Sequence, residues 1–578
     1  MAKKSEPQKE KILSAVSLWK KFDTELALNV VQMDEISEND AKVRYAAVEY
    51  DGHAAEDGRV RIRALFARPV GEGAVPAVLL LDDAGKKPDR ELVSYFAEKG
   101  YAVLAPDYSG QKTDEEDETA TVYPPSLSYA NYAQAGGLYS LEERGSAEKC
   151  CWFEWTYAAL YSIEYLRSRK DITNIGILGV RLGGEAAWKA MLSPHIQCGV
   201  TVNAAGWLSY RGSHRFGERA AVNLTDDKHR YIAGVESQSY APFVKCPVLM
   251  LCACNDYGFD YDRAYDTYSR IGGEEENENK AIVYSSDSGS CIGPQGLHNL
   301  DLFLEKYLKG RAIYIPSALG ITVTADEDGL FVTATGDEDG LIEEMGIFYA
   351  ETGANTKSVF REWLCVHKDC AVKNFKTSCQ IKPFAGAEYA YVYAYAKYIN
   401  GFKTVSKIVG KALTAKDKEV KSRVIFAGEA VDTFSVADHK DYSIGGIFLE
   451  KEAVPVIKKG YGDIPGAYSV GGIKTYKISA PKYVADEGAK LKFDVYSEKA
   501  DKVCVSVDIT GEEGSAERYS CTFNVKGGGK WKRIILSPND FKNEMLGRPL
   551  KSFSCGSALV FDGVEEENEV LVTNVLWL

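Results

Sequence analysis

Between residues 41 and 312, short apolar runs alternate with segments whose apolar residues recur at helical spacing. Continuous apolar runs such as PAVLLLDDAG (76–85) and CPVLMLCACND (246–256) indicate buried strands. Between such runs, ELVSYFAEKG (91–100) and LHNLDLFLEKYLKG (297–310) have the spacing of helices, and each ends at a glycine. Strands that alternate with helices predict an α/β domain, with a mostly parallel, doubly wound sheet that helices cover on both faces.

The segments on either side follow different patterns. In residues 1–40, KILSAVSLWKKF (11–22) has apolar residues at helical spacing, which predicts an N-terminal helical arm. Residues 313–427 contain short alternating strands with Asp-Gly turns, which predict a β-sandwich of the immunoglobulin or fibronectin kind. Residues 428–578 are also strand-rich and contain no long run of helical period, which predicts a jelly roll.

The net charge and the cysteine content limit the possible binding partners and the cellular compartment. The chain has 578 residues and a formal net charge of −14, which opposes binding to nucleic acid or to an anionic membrane surface. No stretch approaches the roughly 20 apolar residues of a membrane span, and the charged start lacks the apolar core of a secretory signal. The 13 cysteines show no paired spacing, as expected for reduced thiols. We therefore predict a cytoplasmic protein.

The sequence gives no sign of a cofactor. It contains no nucleotide, flavin or haem motif. Two acidic turns, ADEDGLF (325–331) and GDEDGLI (336–342), look like calcium loops, but neither is followed by a bidentate glutamate at the expected spacing. We predict neither a cofactor nor a bound metal.

The stretch NIGILGVRLGGEAAWKAM (174–191) runs from an apolar strand through a glycine-rich turn into a helix. This is the layout of a nucleophile elbow, Gly-x-Ser-x-Gly, in which small residues let strand and helix approach closely. Arg181 stands where the nucleophilic serine would be. A guanidinium keeps its proton above a pH of about 12 and has no usable lone pair, so it cannot attack a carbonyl.

The elbow belongs to an ordered set of segments. It follows GYAVLAPDYSG (100–110) and precedes CPVLMLCACNDYGFD (246–260) and the histidine in LHNLDLFLEKYLKG. Together these segments resemble the α/β-hydrolase family, in particular the branch of dienelactone hydrolases and acetyl xylan esterases. Elbow, acid and histidine also follow one another in the order of that family's catalytic triad. The resemblance covers residues 41–312 only.

The resemblance implies a role for each matching position. Arg181 takes the place of the nucleophile, Asp256 that of the acid and His298 that of the general base. The backbone N–H of Leu182 and one from the turn at Ala84 would form the oxyanion hole. Some alternatives stay open: Asp260 for the acid; His195, His214 and His229 for the base; Cys291 for a substitute nucleophile.

Two acids in the turn after the first buried strand alter the expected electrostatics. Asp82 and Asp83 bring negative charge to the place where an oxyanion would develop, and so oppose donors that are normally worth about 3 kcal/mol each. A charge taken out of water needs a partner. We therefore expect Arg181 to pair with at least one of three carboxylates, those of Asp82, Asp83 and Asp256.

Two parts of the chain suggest a ligand. The strands that contain Trp531, Phe541 and Trp577 resemble those of galactose-binding-like carbohydrate modules, and we expect these three side chains in the core. The tyrosine-rich segment 122–140 is either a lid with an aromatic face or an exposed connection. The basic segment 209–219 either gathers an anionic ligand or is simply solvated.

Two functions of different classes follow. The first is a catalytically inactive relative of the esterases that binds a carbohydrate or another small polar ligand. The second is an active hydrolase of acylated sugars, in which His298 and Asp256 activate water and Arg181 polarises the carbonyl. We favour the first function, because the nucleophile is the hardest part of the reaction to replace.

Overall fold

The structure is a computed structural model, and all descriptions below refer to the residues that it describes. These are residues 13–36, 42–71, 73–110, 120–211, 215–216, 224–273, 279–286, 288–352, 358–370, 372, 374–384, 386–413, 421–438, 442–510, 516–563 and 569–578.

The first region is built on one large mixed sheet. Its strands β1 to β9 are Val31–Ile36, Val43–Ala55, Gly58–Pro69, Val75–Leu81, Ala102–Pro106, Ile172–Val180, Ile196–Val202, Val248–Ala253 and Lys280–Ser285. Their order in the sheet is β1-β2-β3-β5-β4-β6-β7-β8-β9. The strands from β5 to β9 run parallel, whereas β1, β2 and β3 pair antiparallel with their neighbours.

Helices cover both faces of this sheet. Helices α1 to α6 are Arg90–Glu98, Cys151–Ser168, Leu182–Ala190, Asp226–Gly234, Ala264–Arg270 and Pro294–Lys309. Apolar residues of α2 and α3 share one core cluster with one face of the sheet, and those of α1 and α6 share a second cluster with the other face. The parallel sheet, its order and the two helical layers make this region an α/β-hydrolase-type domain, as the sequence predicts.

The prediction of an N-terminal helical arm is wrong for the part of residues 1–40 that the structure describes. Residues 15–21 form turns, and Val31–Ile36 is the edge strand β1, paired with β2. Residues 1–12 lie outside the described residues. The helical spacing of this short segment places Ala15 and Leu18 inward, where both are buried, without a continuous helix.

The middle β region consists of two antiparallel sheets around a shared apolar core. Its strands β10 to β17 are Gly320–Asp326, Gly329–Thr335, Ile342–Thr352, Leu364–Asp369, Lys376–Ile381, Tyr389–Tyr398, Lys403–Val405 and Val409–Ala412. One sheet has the order β10-β11-β14; the other has the order β13-β12-β15-β16, with β17 also paired to β15.

The last β region also contains two large antiparallel sheets around one core. Its strands β18 to β32 are Val424–Phe426, Ser435–Val436, Ser443–Ile444, Phe448–Leu449, Val456–Lys459, Pro465–Tyr468, Ile473–Thr475, Leu491–Tyr496, Asp501–Thr510, Ala516–Val525, Lys532–Leu536, Lys542–Asn543, Arg548–Pro549, Gly556–Gly563 and Leu571–Trp577. One sheet has the order β22-β23-β32-β25-β28 and the other β19-β24-β31-β26-β27-β29-β30. The short strands β20 and β21 form a separate hairpin.

Both regions are therefore all-β in their described residues, and their finer assignment to a β-sandwich and a jelly roll stays a prediction. One strand is displaced from its expected place. Val424–Phe426 falls within the segment that the sequence assigns to the middle region, but it pairs with β32 of the last region. A three-residue strand carries no local signal of its partner, because pairing depends on contacts that are distant in sequence.

Candidate functional site

The turn between β6 and α3 has the backbone of a nucleophile elbow. Arg181 lies there with φ 46° and ψ −116°, a backbone conformation that residues other than glycine rarely adopt. Its N–H donates to the carbonyl of Val202 on the neighbouring strand at 2.8 Å. A Cβ atom on Gly183 would lie 2.2 Å from the carbonyl oxygen of Leu81, so only glycine fits there. The glycine spacing thus marks a true strand–elbow–helix unit around an arginine.

The guanidinium of Arg181 is held by two carboxylates. Its Nε and Nη2 donate to Oδ2 of Asp256 at 3.0 and 2.8 Å, and its Nη1 lies 3.9 Å from Oδ2 of Asp83. Burial opposes the charged form, but the two carboxylates outweigh it, and the pKa of Arg181 is raised above its ordinary value. The arginine is therefore a fixed cation in the turn between β6 and α3.

Asp256 occupies the expected acid position after β8. It is buried, and besides Arg181 it accepts hydrogen bonds from Nδ2 of Asn203 at 3.2 Å and from the N–H of Gly258 at 2.9 Å. These donors fix a carboxylate that in a triad would orient a histidine. Here the same carboxylate is committed to a guanidinium.

The expected oxyanion hole contains a carboxylate of the protein itself. The N–H of Leu182 donates to Oδ1 of Asp83 at 3.2 Å. Burial raises the pKa of Asp83, although Arg181 and this N–H act in the opposite direction. The N–H of Leu182 is thus satisfied by Asp83, and no hydrogen bond is described for the N–H of Ala84, the second expected donor. We will refer to Arg181, Asp83, Asp256 and Leu182 as the elbow cluster.

Asp82 does not join this cluster. Its Oδ1 accepts from the N–H of Asp83 at 2.7 Å, and its side chain is buried. Burial raises the pKa of Asp82 to about 6. Of the three carboxylates considered for Arg181, the structure brings Asp256 and Asp83 to it and leaves Asp82 behind the turn.

The structure does not place His298 at the base position. His298 lies in the second turn of α6, where it is exposed, and its imidazole packs against Gly401 of the middle β region. No hydrogen bond joins it to Asp256, whose described partners are named above. The sequence motif misleads here because the loop after β9 ends at Gly293, five residues before His298, and the helix then carries the histidine outward.

Cys291 lies in that loop instead. It is fully buried and close enough to Arg181 and Asp256 for both to act on its titration. Burial raises the pKa of the Cys291 thiol to about 12, although Arg181 lowers it. Because a reactive cysteine needs a stabilised thiolate, Cys291 is not equipped as a substitute nucleophile.

The other candidates lie elsewhere. Asp260 pairs with Arg263, and burial raises its pKa to about 6. His195 and His229 are exposed, and His214 lies outside the described residues. Within the described part of the chain, no histidine contacts the elbow cluster, and no three His, Cys, Asp or Glu side chains converge as a metal site.

The tyrosine-rich segment 122–140 packs mainly on α2. The indole N–H groups of Trp155 and Trp152 donate to the carbonyls of Ala130 and Leu138 in this segment, at 2.7 and 3.0 Å. The ring of Tyr132 lies 6.5 Å from that of Trp155 on α2, and the residue stays 37% exposed. The same ring lies against Gly85, where an added Cβ would be 2.4 Å from it. The segment therefore places a partly exposed tyrosine ring beside the DDAG turn.

The last β region also reaches the site, which the sequence did not indicate. Ile292, next to Cys291, forms a parallel bridge with Phe448, and its N–H donates to the carbonyl of Ile447 at 2.8 Å. The thiol of Cys291 lies 3.9 Å from the carbonyl oxygen of Gly446. The hairpin Ser443–Leu449 thus covers the loop in which a hydrolase would place its histidine.

Two of the solved structures that are similar to this chain are acetyl xylan esterases. The enzyme from Paenibacillus sp. R4 has 18% sequence identity and a TM-score of 0.40, and the match covers 51% of this chain and 92% of that one. For acetyl xylan esterase 1 from Thermoanaerobacterium sp. JW/SL YS485, the identity is 15%, the TM-score 0.37 and the coverage 51% and 93%. No protein-family model and no curated protein matches the chain. The order and direction of the strands in the first region fit an α/β-hydrolase fold.

Proposed function

We propose that the first region is a catalytically inactive α/β-hydrolase-type domain in a protein that binds carbohydrate or another small polar ligand. The observation that carries this proposal is the hydrogen bond from the N–H of Leu182 to Asp83. An oxyanion hole works only when its donors are free to receive the developing charge. In this chain, one donor is already bound to a negative group.

The nucleophile and the general base that ester hydrolysis needs are replaced as well. Arg181 cannot form an acyl intermediate. Cys291, in the loop where a histidine is expected, is a buried thiol that does not serve as a base near neutral pH. Loss of any one of these parts slows the reaction of a hydrolase severely, and their combined loss leaves no route to covalent catalysis.

The alternative is an active hydrolase in which Arg181 polarises a carbonyl and water attacks. Arg181 is oriented away from that task by its two bonds to Asp256. His298, the expected base, lies at the surface of α6. This reading therefore has less support than the binding function.

An aromatic surface on the last β region supports a carbohydrate ligand. Contrary to the expectation of a core residue, Trp531 is only partly buried; its indole N–H donates to the carbonyl of Tyr461 at 3.0 Å, and its ring lies 5.4 Å from that of Tyr496. Tyr461 is 62% exposed. Phe541 and Trp577, by contrast, are buried in the core. Exposed clusters of aromatic rings mark ligand or partner surfaces.

The catalytic half of the proposal is tested with a short-chain aryl ester and a serine-directed phosphonate. We expect neither turnover above buffer nor a covalent adduct by intact-protein mass spectrometry. The triple variant Arg181→Ser/Asp83→Ala/Cys291→His restores a nucleophile, a free N–H and a base, and we expect it to gain turnover that Arg181→Ser alone lacks. Turnover by the unaltered protein that disappears in Arg181→Lys would establish the alternative.

The binding half is tested by affinity electrophoresis in gels that contain soluble xylan or galactan. We expect retardation of the full chain and its loss in Trp531→Ala. Tyr314→Ala is the matched control, because Tyr314 is also a partly exposed aromatic residue, 37% exposed, but belongs to the middle region. Equal retardation of both variants would contradict the assignment of this surface.

A further inference from the structure

One face of the sheet β22-β23-β32-β25-β28 places charged groups beside the aromatic surface of the last β region. Alternate residues of β25 point into the core, so Asp494 and Tyr496 lie on the opposite face. The register pairs Asp494 with Arg533 of β28. Trp531 comes two residues before Arg533, about 7 Å away along the chain, and its ring lies 5.4 Å from that of Tyr496. An aromatic pair and a charged pair are therefore neighbours on one sheet face.

Asn574 joins the charged pair through a β-bulge in β32. The register between β25 and β32 shifts between Lys492 and Asp494, and Asn574 has a φ of 51°. A bulge changes the direction in which a side chain points. Here Nδ2 of Asn574 donates to Oδ2 of Asp494 at 2.8 Å. We refer to Asp494, Arg533 and Asn574 as the polar cluster.

The polar cluster keeps hydrogen-bonding capacity for a ligand. Oδ2 of Asp494 also accepts from Nζ of Lys492 at 3.2 Å, whereas Oδ1 accepts only a long bond of 3.4 Å from Nε of Arg533. Burial opposes the charged form of Asp494, but hydrogen bonds from Asn574 and the two cations outweigh it and hold its pKa below the usual range.

The guanidinium of Arg533 is the accessible part of the polar cluster. Its side chain is 67% exposed, and neither of its Nη groups has a partner among the described residues. Oδ1 of Asp494 lies beside it as an acceptor. A forked donor and a charged acceptor are thus presented together, next to the rings of Trp531 and Tyr496.

Two neighbouring hydroxyl groups match this arrangement. A hydroxyl both donates and accepts, so one can donate to Oδ1 of Asp494 while its neighbour accepts from an Nη group of Arg533. A carboxylate would suit Arg533 but would also face Asp494. A hydroxyl that carries a methyl or acyl group can no longer donate. The pair of free hydroxyls therefore satisfies both charged groups at once.

We propose that the polar cluster selects sugars with two neighbouring free hydroxyl groups, while the rings of Trp531 and Tyr496 stack on the same sugar. The inference rests on the carbohydrate function proposed above and names the class of ligand for that surface. Stacking on an aromatic ring discriminates little between sugars, because it needs only an apolar C–H face. Charge-assisted hydrogen bonds add the dependence on which hydroxyls are free.

The ligand class is tested on the unaltered full chain by affinity electrophoresis. The probe is whichever of soluble xylan and galactan retards the chain, before and after O-methylation of most of its hydroxyl groups. Methylation removes donors and keeps the polymer uncharged, so we expect the apparent affinity to fall at least about tenfold. Equal retardation by the methylated polymer overturns the inference. Stronger retardation by polygalacturonate than by the neutral polymer also overturns it, because a carboxylate is then the preferred ligand.

Variants locate the selection in the polar cluster. Arg533→Gln removes the forked donor at an exposed position, and we expect the apparent affinity for the neutral polysaccharide to fall at least about tenfold. Arg548→Gln is the matched control, because the side chain of Arg548 is 56% exposed and also pairs with a carboxylate, but belongs to the other sheet. It should leave the affinity unchanged. Unaltered affinity in Arg533→Gln, or an equal loss in Arg548→Gln, overturns the inference.

Failure of this inference is distinguishable from failure of the proposed function. If neither xylan nor galactan retards the full chain, the carbohydrate function fails and the inference fails with it. If retardation disappears in Trp531→Ala but persists in Arg533→Gln, the carbohydrate function stands and the inference alone is overturned.

Discussion

The elbow cluster and the carboxyl group of Glu362 deal with burial in opposite ways. In the elbow cluster, Arg181 faces Asp256 and Asp83, and the N–H of Leu182 is satisfied. Glu362 accepts hydrogen bonds from Thr475 and Tyr476, and burial raises its pKa to about 8. The first region thus balances a buried charge with an opposite charge, whereas Glu362 avoids burying a charge by holding a proton.

Among the substitutions in the first region, the largest loss of stability is expected from breaking the central ion pair. Asp256→Asn leaves the half-buried Arg181 without its main partner, and we expect a loss of about 3 kcal/mol in the unfolding free energy of the first domain. Denaturant unfolding followed by tryptophan fluorescence measures it. The double variant Arg181→Met/Asp256→Leu removes both charges and should recover part of the loss.

An exposed ion pair on α2 provides the control. Glu164→Gln removes the partner of Arg167, whose side chain is 39% exposed, and we expect a loss of about 1 kcal/mol or less. If Asp256→Asn costs no more than Glu164→Gln, the elbow cluster is not held together by its ion pair.

Glu362 should make stability depend on pH. Burial raises the pKa of Glu362 from its ordinary 4.5 to about 8, so between these values the folded chain holds a proton that the unfolded chain has lost. Stability is therefore fully present below about pH 4.5 and falls as the pH rises to about 8, by an amount on the order of 5 kcal/mol. Glu362→Gln should lack this decline when both proteins are unfolded across the pH range; parallel curves would contradict the raised pKa.

The burial of Cys291 beside the elbow cluster should lower the reactivity of its thiol. Cys291 is buried with a raised pKa, whereas Cys370 and Cys555 are exposed. With iodoacetamide under native conditions, we expect Cys291 to react at least about tenfold more slowly than either exposed cysteine. Peptide mass spectrometry gives the three rates. Rapid labelling of Cys291 would reveal an accessible thiolate and reopen its role as a nucleophile.

The smallest expected effect is that of Asp83→Asn. The amide oxygen of asparagine can still accept from the N–H of Leu182, and Arg181 retains Asp256, so we expect a change of about 1 kcal/mol or less. The same unfolding assay measures it. A loss as large as that of Asp256→Asn would show that the two carboxylates contribute equally.

Local patterns predicted the parts of the site that depend on local geometry. Glycines within one turn predict the strand–turn–helix unit that contains Arg181, and an apolar run predicts the buried strand that Asp256 follows; the structure contains both. The catalytic positions assigned to these two residues stay predictions. The base position failed because a loop of a few residues separates β9 from α6, and the sequence does not indicate which residue of it turns inward. Cys291 does so, and His298 does not.

Contacts between distant segments left no local signal. Glu362 meets Thr475 and Tyr476 more than a hundred positions later in the chain, and Val424–Phe426 pairs with Leu571–Trp577. Apolar periodicity identifies which residues are buried but not against what they pack. The class of each region was therefore predictable, while the contacts between distant segments were not.

The hairpin Ser443–Leu449 has a consequence for how the chain matures. Gly446, which approaches Cys291, is separated from it by 155 positions, so a ribosome finishes the parallel sheet long before it supplies that cover. Until then, the backbone of Ile292 lacks its bridge to Phe448, and the thiol of Cys291 lacks its contact with Gly446. A fragment cut near residue 312 would keep that unfinished state, and its chemistry would not be that of the complete chain.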